Sequence, residues 1–310
     1  MKIKKLTALA SVIPMLAVSA PVTSNCVSET SPEFWFAAAS ESGAECSNTI
    51  VYINRKKLPN DVYIDMAVFY RDGETYTAGD STHIAFLRAA WDCESEYVKL
   101  DEVRKPDLTY EKAPFDALSS EMAAVSPTAE TNYSAISYSL MTQPSATFKV
   151  TGTETISYPL GYTGATISEN APYGRHTIFF CDRAYSEAQG QTGMCANVFL
   201  RYGKNEDDEF FPTGSQLKNL NILVSDRMFG DVNDDSSVDS SDAAQILSDY
   251  AQNAVTKSSA FSTEQLTAAD VNVDDSADAS DAAMLLSYYA YSQANKDGKS
   301  LLKFVSYKPE

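Results

Sequence analysis

Histidine is almost missing from this sequence. Only His83 and His176 occur in 310 residues, so a three-histidine zinc centre cannot be assembled, and no His-Glu-x-x-His string exists. Positive charge is also scarce: 24 Lys and Arg stand against 42 Asp and Glu, a net charge of −18. Nucleic acid, whose phosphates require clustered Lys and Arg, is thereby excluded as a partner. Long apolar runs are lacking too. The one candidate, residues 6–20 behind Met1-Lys2-Ile3-Lys4-Lys5, is shorter than the roughly 20 residues a membrane helix needs. A basic start, a short apolar run and a small-residue exit predict instead a signal peptide over residues 1–24, cut after Ala20 or Ser24. The protein is therefore expected to be secreted and extracellular, with no membrane span.

Cysteine is limited to Cys26, Cys46, Cys93, Cys181 and Cys195. In a secreted chain one disulfide is plausible, and Cys181 with Cys195 would close a loop between neighbouring strands. The odd count leaves at least one thiol over. Small buried hydrophobes are the equally weighted reading of these residues.

Among the residues that are present, apolar types make up 44% of the chain, enough for a packed core. Residues 49–224 have the pattern of short strands. Val62, Ile64, Met66, Val68 and Tyr70 alternate with Tyr63, Asp65, Ala67 and Phe69, a period of two. Similar runs cover residues 49–53, 83–89, 97–103, 135–142, 146–150, 154–158, 175–181, 194–202 and 217–224. Turns are expected at Arg71-Asp72-Gly73 and Gly161-Tyr162-Thr163-Gly164, and a long loop over 105–127 with a short helix near 114–124. Some ten strands with few helices predict an all-β, antiparallel sandwich for residues 27–225.

After Val224 the pattern changes within a few residues. Residues 226–290 hold thirteen Asp and Glu against two Lys and Arg, and the acids recur at fixed intervals. Residues 230–251 read GDVNDDSSVDSSDAAQILSDYA and residues 269–290 read ADVNVDDSADASDAAMLLSYYA; at an offset of 39, 14 of the 22 positions are identical. Such internal repetition decides the fold before anything else.

In each repeat, oxygen-bearing side chains stand at positions 1, 3, 5, 9 and 12 of a twelve-residue loop. They are Asp231, Asn233, Asp235, Asp239 and Asp242, then Asp270, Asn272, Asp274, Asp278 and Asp281. Calcium wants six to eight oxygens at roughly 2.3–2.6 Å, and a loop of this spacing supplies them with a carbonyl at position 7, here Ser237 and Ser276. Two Ca²⁺ ions are expected. Position 6 normally carries Gly for a sharp turn, whereas here it is Ser236 and Asp275. Each loop runs into an amphipathic helix, with Ala243, Ile246, Leu247 and Tyr250 on one face and Ala282, Leu285, Leu286 and Tyr289 as their counterparts. Ser262-Thr263-Glu264-Gln265 predicts a capping box opening a short middle helix.

This duplicated loop–helix unit, closed by Asp rather than Glu, resembles a dockerin, an all-α module with two EF-hand-like calcium loops. The resemblance covers about sixty residues and implies calcium-dependent docking onto the cohesin module of a scaffoldin in a cellulosome. It also implies that loop positions 10 and 11, Ser240, Ser241, Ala279 and Ser280, help choose the partner. The predicted multidomain organisation is thus 1–24 signal peptide, 27–225 sandwich, 228–295 dockerin and 296–310 C-terminal tail.

The sandwich has a shorter resemblance of its own. Tyr158-Pro159-Leu160 through Gly174-Arg175-His176-Thr177-Ile178-Phe179-Phe180 is similar to the late strands of cohesin-like sandwiches, which implies an adaptor able to hold another dockerin. Plant cell-wall polysaccharide is the other expected partner, with Trp35, Trp91, Tyr158, Tyr162 and Tyr173 as aromatic platform candidates. The rival class is an enzyme. Gly79-Asp80-Ser81 with His83 is similar to the serine motif of a carbohydrate-esterase family, but no hydrophobic strand precedes it, and Tyr173 occupies the place of the expected Asp before His176. A glycoside hydrolase needs only two carboxylates; Asp65, Glu94, Glu96 and Asp182 are candidates, and nothing singles out a pair. A non-catalytic binding or adaptor module is the reading that needs fewest missing parts.

Overall fold

The alternation in residues 62–70 forms a ten-residue strand, Val62–Arg71, in the computed structural model, which describes residues 32–71, 81–82, 84–104, 122–139, 148–149, 157–189, 198–202 and 209–308. Val62, Ile64, Met66, Val68 and Tyr70 enter the main core. From the opposite set, Ala67 and Phe69 pack with Trp35, Ala37 and Tyr162 on the other face. A strand buried on both faces needs apolar side chains in both registers, and this one has them.

In chain order the first strands are β1 (Glu33–Ala39), β2 (Glu45–Cys46), β3 (Ile50–Asn54), β4 (Val62–Arg71), β5 (Ser81–Thr82), β6 (Ile84–Asp92), β7 (Val98–Leu100) and β8 (Met122–Val125). They are followed by β9 (Ser134–Ser139), β10 (Phe148–Lys149), β11 (Ser157–Ile167), β12 (Gly174–Phe180), β13 (Phe199–Tyr202), β14 (Glu209–Phe210), β15 (Leu217–Lys218) and β16 (Leu220–Ser225). One sheet has the order β15-β1-β4-β11-β7; a larger one runs β14-β13-β6-β12-β16-β3-β2, with β9 also paired to β6 and β8 to β9. Most pairs are antiparallel, but β16 lies parallel to β3 and β15 parallel to β1. The two sheets face each other across one core. Phe36 of β1 stacks on Phe180 of β12 with ring centroids 4.3 Å apart and meets Trp91 of β6 edge-on.

Two expectations change here, and two elements are new. The predicted turn at Gly161–Gly164 is the middle of β11, the longest strand, with a bulge between Pro159 and Gly161. Neither glycine turns the chain: a Cβ at Gly161 would meet Ile136, and one at Gly164 would meet the Tyr63 ring and hydroxyl. Met122–Val125, expected at the end of a helix, is strand β8; residues 105–121 lie outside the described residues. Glu33–Ala39 was not anticipated as a strand, nor Arg183–Ala188 as a helix, α1, capped by Asp182 accepting from the Tyr185 N–H at 2.8 Å. The signal peptide, Cys26, Cys195 and the Gly79-Asp80/His83 motif also lie outside the described residues.

The C-terminal module is helical: α2 (Ser240–Thr256), α3 (Thr263–Ala269), α4 (Ala279–Ala294) and α5 (Leu301–Val305). The capping box at Ser262 and Gln265 opens α3 as predicted. Val232, Ala243, Ile246, Ala269, Ala282 and Leu285 form the module's own core.

Only residues 226–230 separate β16 from the first loop, and the module lies directly on the sandwich. Ile50 and Tyr52 of β3 and Leu223 of β16 share one buried cluster with Phe229, Val271, Leu301 and Leu302. The Tyr52 and Phe229 rings are 5.1 Å apart. Around this cluster, Asn54 Nδ2 donates to the Arg227 carbonyl at 2.8 Å, Ser225 Oγ donates to the Glu264 carbonyl, and Lys56 pairs with Asp234 at 2.7 Å. Arg175 pairs with Asp275 and donates to the Val273 carbonyl at 3.0 Å. Beyond α5 the chain continues across the sandwich, where Tyr307 meets Trp35 edge-on and bonds Glu33, and Asn48 Nδ2 donates to the Tyr307 carbonyl.

Candidate metal and docking site

The two loops, residues 231–242 and 270–281, carry matching hydrogen-bond networks. At position 1, Asp231 accepts from the N–H groups of Asp235 at 3.1 Å and Ser236 at 2.9 Å. Asp270 accepts from those of Asp274 and Asp275, both at 3.0 Å. At position 3, Asn233 and Asn272 accept from the same Asp235 and Asp274 N–H groups. At position 5, Asp235 and Asp274 accept from Ser237 and Ser276. Position 12 closes each loop on position 2: Asp242 accepts from the Val232 N–H at 2.8 Å and Asp281 from the Val271 N–H at 2.9 Å, and their second oxygens accept from Asp239 and Asp278. Asp239 and Asp278 are the helix N-caps, and Asp242 and Asp281 complete capping boxes.

Such tight loops require left-handed backbone, and it occurs twice in each. Position 6 has φ 69° at Ser236 and 75° at Asp275, as the displaced glycine implied. Position 4 does the same, with φ 61° at Asp234 and 60° at Val273. A β-branched residue is a poor occupant of this region, so the Val273 conformation must be held by its surroundings.

Asp242 and Asp281 are fully buried, and Asp231 is 1% exposed. Burial pushes the carboxyls of Asp231, Asp242 and Asp281 up despite the backbone donors that favour their charged forms. Asp270 is pushed up to about 6, by burial first and then by the charges of Asp281 and Asp274. Among the described residues no Lys, Arg or His pairs with any of these four. No three Asp, Glu, His or Cys side chains among them converge as they stand into a ready metal cluster. The donor set is nevertheless all oxygen and mostly anionic, which suits a hard divalent cation and no soft one.

The four expected partner-choosing residues lie exposed at the starts of α2 and α4. Ser241 Oγ and Ser280 Oγ each accept from the position-3 amide, Asn233 Nδ2 at 2.9 Å and Asn272 Nδ2 at 2.8 Å. Ser240 and Ala279 are what differ between the halves. The helical faces divide: Ala243, Ile246, Ala282 and Leu285 are buried, whereas Leu247, Tyr250, Met284 and Leu286 stand exposed. Leu247 and Leu286 occupy equivalent repeat positions. Sequence periodicity placed them on the apolar face but could not show that the module lacks a second layer to cover them.

In the sandwich, the expected aromatic platform is not assembled. Trp35, Trp91 and Tyr162 are buried, and of the candidates whose side chains are described only Tyr173 is exposed. The carboxylate candidates serve elsewhere: Asp65 pairs with Arg104 at 3.2 Å and Asp182 caps α1, while Glu94 and Glu96 are exposed beside β7. His176 is buried; its Nδ1 lies 2.8 Å from Ser95 Oγ and its Nε2 lies 3.0 Å from the Pro172 carbonyl. Cys46, Cys93 and Cys181 carry free thiols, so Cys181 does not enter the expected bridge. Burial pushes the Cys93 thiol up to about 11, the behaviour of a small core residue.

Residues 229–288 match the family model of the dockerin type I domain, and the C-terminal module is a dockerin. No curated protein matches the chain. Among solved structures, the chain is similar to a type I cohesin–dockerin complex of Clostridium thermocellum, at 12% identity and TM-score 0.36 over 63% of this chain and 99% of that one. It is similar to the CaCohA2 solution structure from Clostridium acetobutylicum, at 13% identity and TM-score 0.35 over 64% of this chain and 93% of that one. A type III cohesin module of the ScaE cell-surface anchoring scaffoldin of Ruminococcus flavefaciens follows, at 12% identity and TM-score 0.30 over 67% and 97%. TM-scores below 0.5 do not establish a shared fold, and the sandwich assignment stands on its own strands and core. No helix among the described residues is long and apolar enough to cross a membrane.

Proposed function

We propose that this chain is a secreted cellulosome component whose residues 228–295 bind two Ca²⁺ ions and dock onto a scaffoldin cohesin. On this reading residues 27–225 serve as a binding or adaptor module in plant polysaccharide degradation. The observation that carries this reading is the pair of matching acidic loops, each with buried carboxylates that pair with no Lys, Arg or His among the described residues. Asp231, Asn233, Asp235, Asp239 and Asp242 would hold one ion with the Ser237 carbonyl. Asp270, Asn272, Asp274, Asp278 and Asp281 would hold the other with that of Ser276. Calcium supplies the positive charge that offsets their burial and crosslinks each loop to the first turn of its helix.

The cohesin contact follows from the same halves. Ser240 and Ser241 with Leu247 and Tyr250 offer one apolar surface with a polar edge, and Ala279 and Ser280 with Met284 and Leu286 offer the other. Exposed aliphatic and aromatic side chains ringed by polar ones mark protein interfaces. Titration of the purified chain with a type I cohesin, with calcium and then with excess chelator, tests the proposal. Tight binding with calcium that is lost to chelator is expected. Binding indifferent to chelator would overturn it.

A further inference from the structure

We propose that the sandwich is the intramolecular partner of its own calcium module, so that calcium entering the loops stabilises the sandwich and the sandwich helps to shape the loops. This rests on the calcium reading of the two loops.

The contact between the modules falls on the loops themselves. Val271, buried against Ile50, Tyr52 and Leu223, lies between Asp270 and Asn272, and its own N–H is one of the three backbone donors to Asp281. Val238 of the first loop and Val273 of the second pack on the same cluster. Each loop also receives one basic side chain from the sandwich. Lys56, next to β3, pairs with Asp234 at position 4 of the first loop. Arg175, on β12, grips the second loop at position 4 through the Val273 carbonyl and at position 6 through Asp275. Both of these positions have left-handed backbone, so Arg175 holds the turn that a β-branched residue would otherwise leave. Neither basic residue pairs with a side-chain oxygen at position 1, 3, 5, 9 or 12, so those oxygens remain available to an ion.

A ligand that binds only the folded form stabilises whatever folds with it. Where two modules share a packed cluster and the binding loops lie in it, that stabilisation crosses the interface, and by reciprocity the interface raises the affinity of the loops for the ligand. The molecule carries a reporter for each half. Its two tryptophans, Trp35 and Trp91, both lie in the sandwich, whereas most helical signal comes from α2, α3 and α4.

Thermal unfolding of the full chain, followed by tryptophan fluorescence and by helical ellipticity, tests the proposal. At calcium about 100-fold above its dissociation constant, both midpoints should lie about 5–10 °C above those in excess chelator. A helical midpoint that moves while the tryptophan midpoint stays would overturn the coupling and leave the calcium reading intact; if neither moves, the calcium reading fails and the coupling with it. Arg175→Gln, at an exposed site, should at least halve the calcium-dependent shift of the tryptophan midpoint. The variant Arg175→Gln/Asp275→Asn keeps the net charge and should weaken calcium binding at one of two sites by at least about threefold in calorimetric titration. Unchanged calcium affinity in the double variant would overturn the shaping role.

Discussion

Asp242 and Asp281 have two parts in the loops: they would close the proposed ion sites, and each accepts from three backbone N–H groups. Replacing either by Ala leaves buried donors unmatched, at about 1–3 kcal/mol apiece for those that water cannot reach. Each substitution is expected to lower the stability of the module by about 2–4 kcal/mol in calcium, read from the helical melting curve. Each should also remove one of two binding events in a calcium titration. Asp270 gives the pH dependence. Its carboxyl is raised to about 6 in the metal-free fold, against about 3.9 in an unfolded chain. The sign follows: in chelator, the Asp270 contribution is fully present below about pH 4 and lost as pH rises through about 6. In calcium the order reverses, because protons compete with the ion for this oxygen. Helical melting midpoints measured at pH 5 and 7, with and without chelator, should cross in this way, and parallel curves would count against the assignment.

At the scale of elements, α2 and α4 separate buried from exposed apolar side chains within one turn. Ile246 is fully buried and Leu247 is 43% exposed. Ile246→Ala is therefore expected to cost about 2–5 kcal/mol of module stability. Leu247→Asp should leave the melting curve in place and weaken cohesin binding about tenfold or more, as should Leu286→Asp for the opposite face. Surface plasmon resonance on immobilised cohesin separates the two effects. The two matching loops were legible because one spacing is written twice in the chain, and the strand β4 because its period is two. Gly161 and Gly164 misled because glycine marks turns as well as close approach, and only the neighbouring Ile136 and Tyr63 show which applies. Arg183–Ala188 was missed because six residues are too few for a helical period to register.

For the whole molecule, the least legible feature is the contact between the two modules. Tyr52, Leu223, Val271 and Leu302 are scattered over some 250 residues, and each looks like an ordinary core residue of its own segment. The C-terminal tail illustrates this. Residues 296–310 are polar enough to suggest a loose end, yet Leu301 and Leu302 are buried and join both modules. Truncation before Leu301 is expected to cost about 3–6 kcal/mol from the two leucines alone. Most of that should appear in the tryptophan signal, since Ile50 and Tyr52 lose their cover and Trp35 loses Tyr307.

The shortness of residues 226–230, with Phe229 buried and the Arg227 carbonyl held by Asn54, sets the bearing of the sandwich in space. A module on a long tether sweeps a volume and finds its target by diffusion; this one is fixed like a bracket to its mount. On the proposed docking, the direction in which β1, β4 and β11 point would follow which half of the repeat the cohesin seats. Presenting residues 269–290 in place of residues 230–251 to the same cohesin would swing the whole sandwich to another heading. Two attitudes on one scaffold, rather than a continuum, is the geometry this attachment allows.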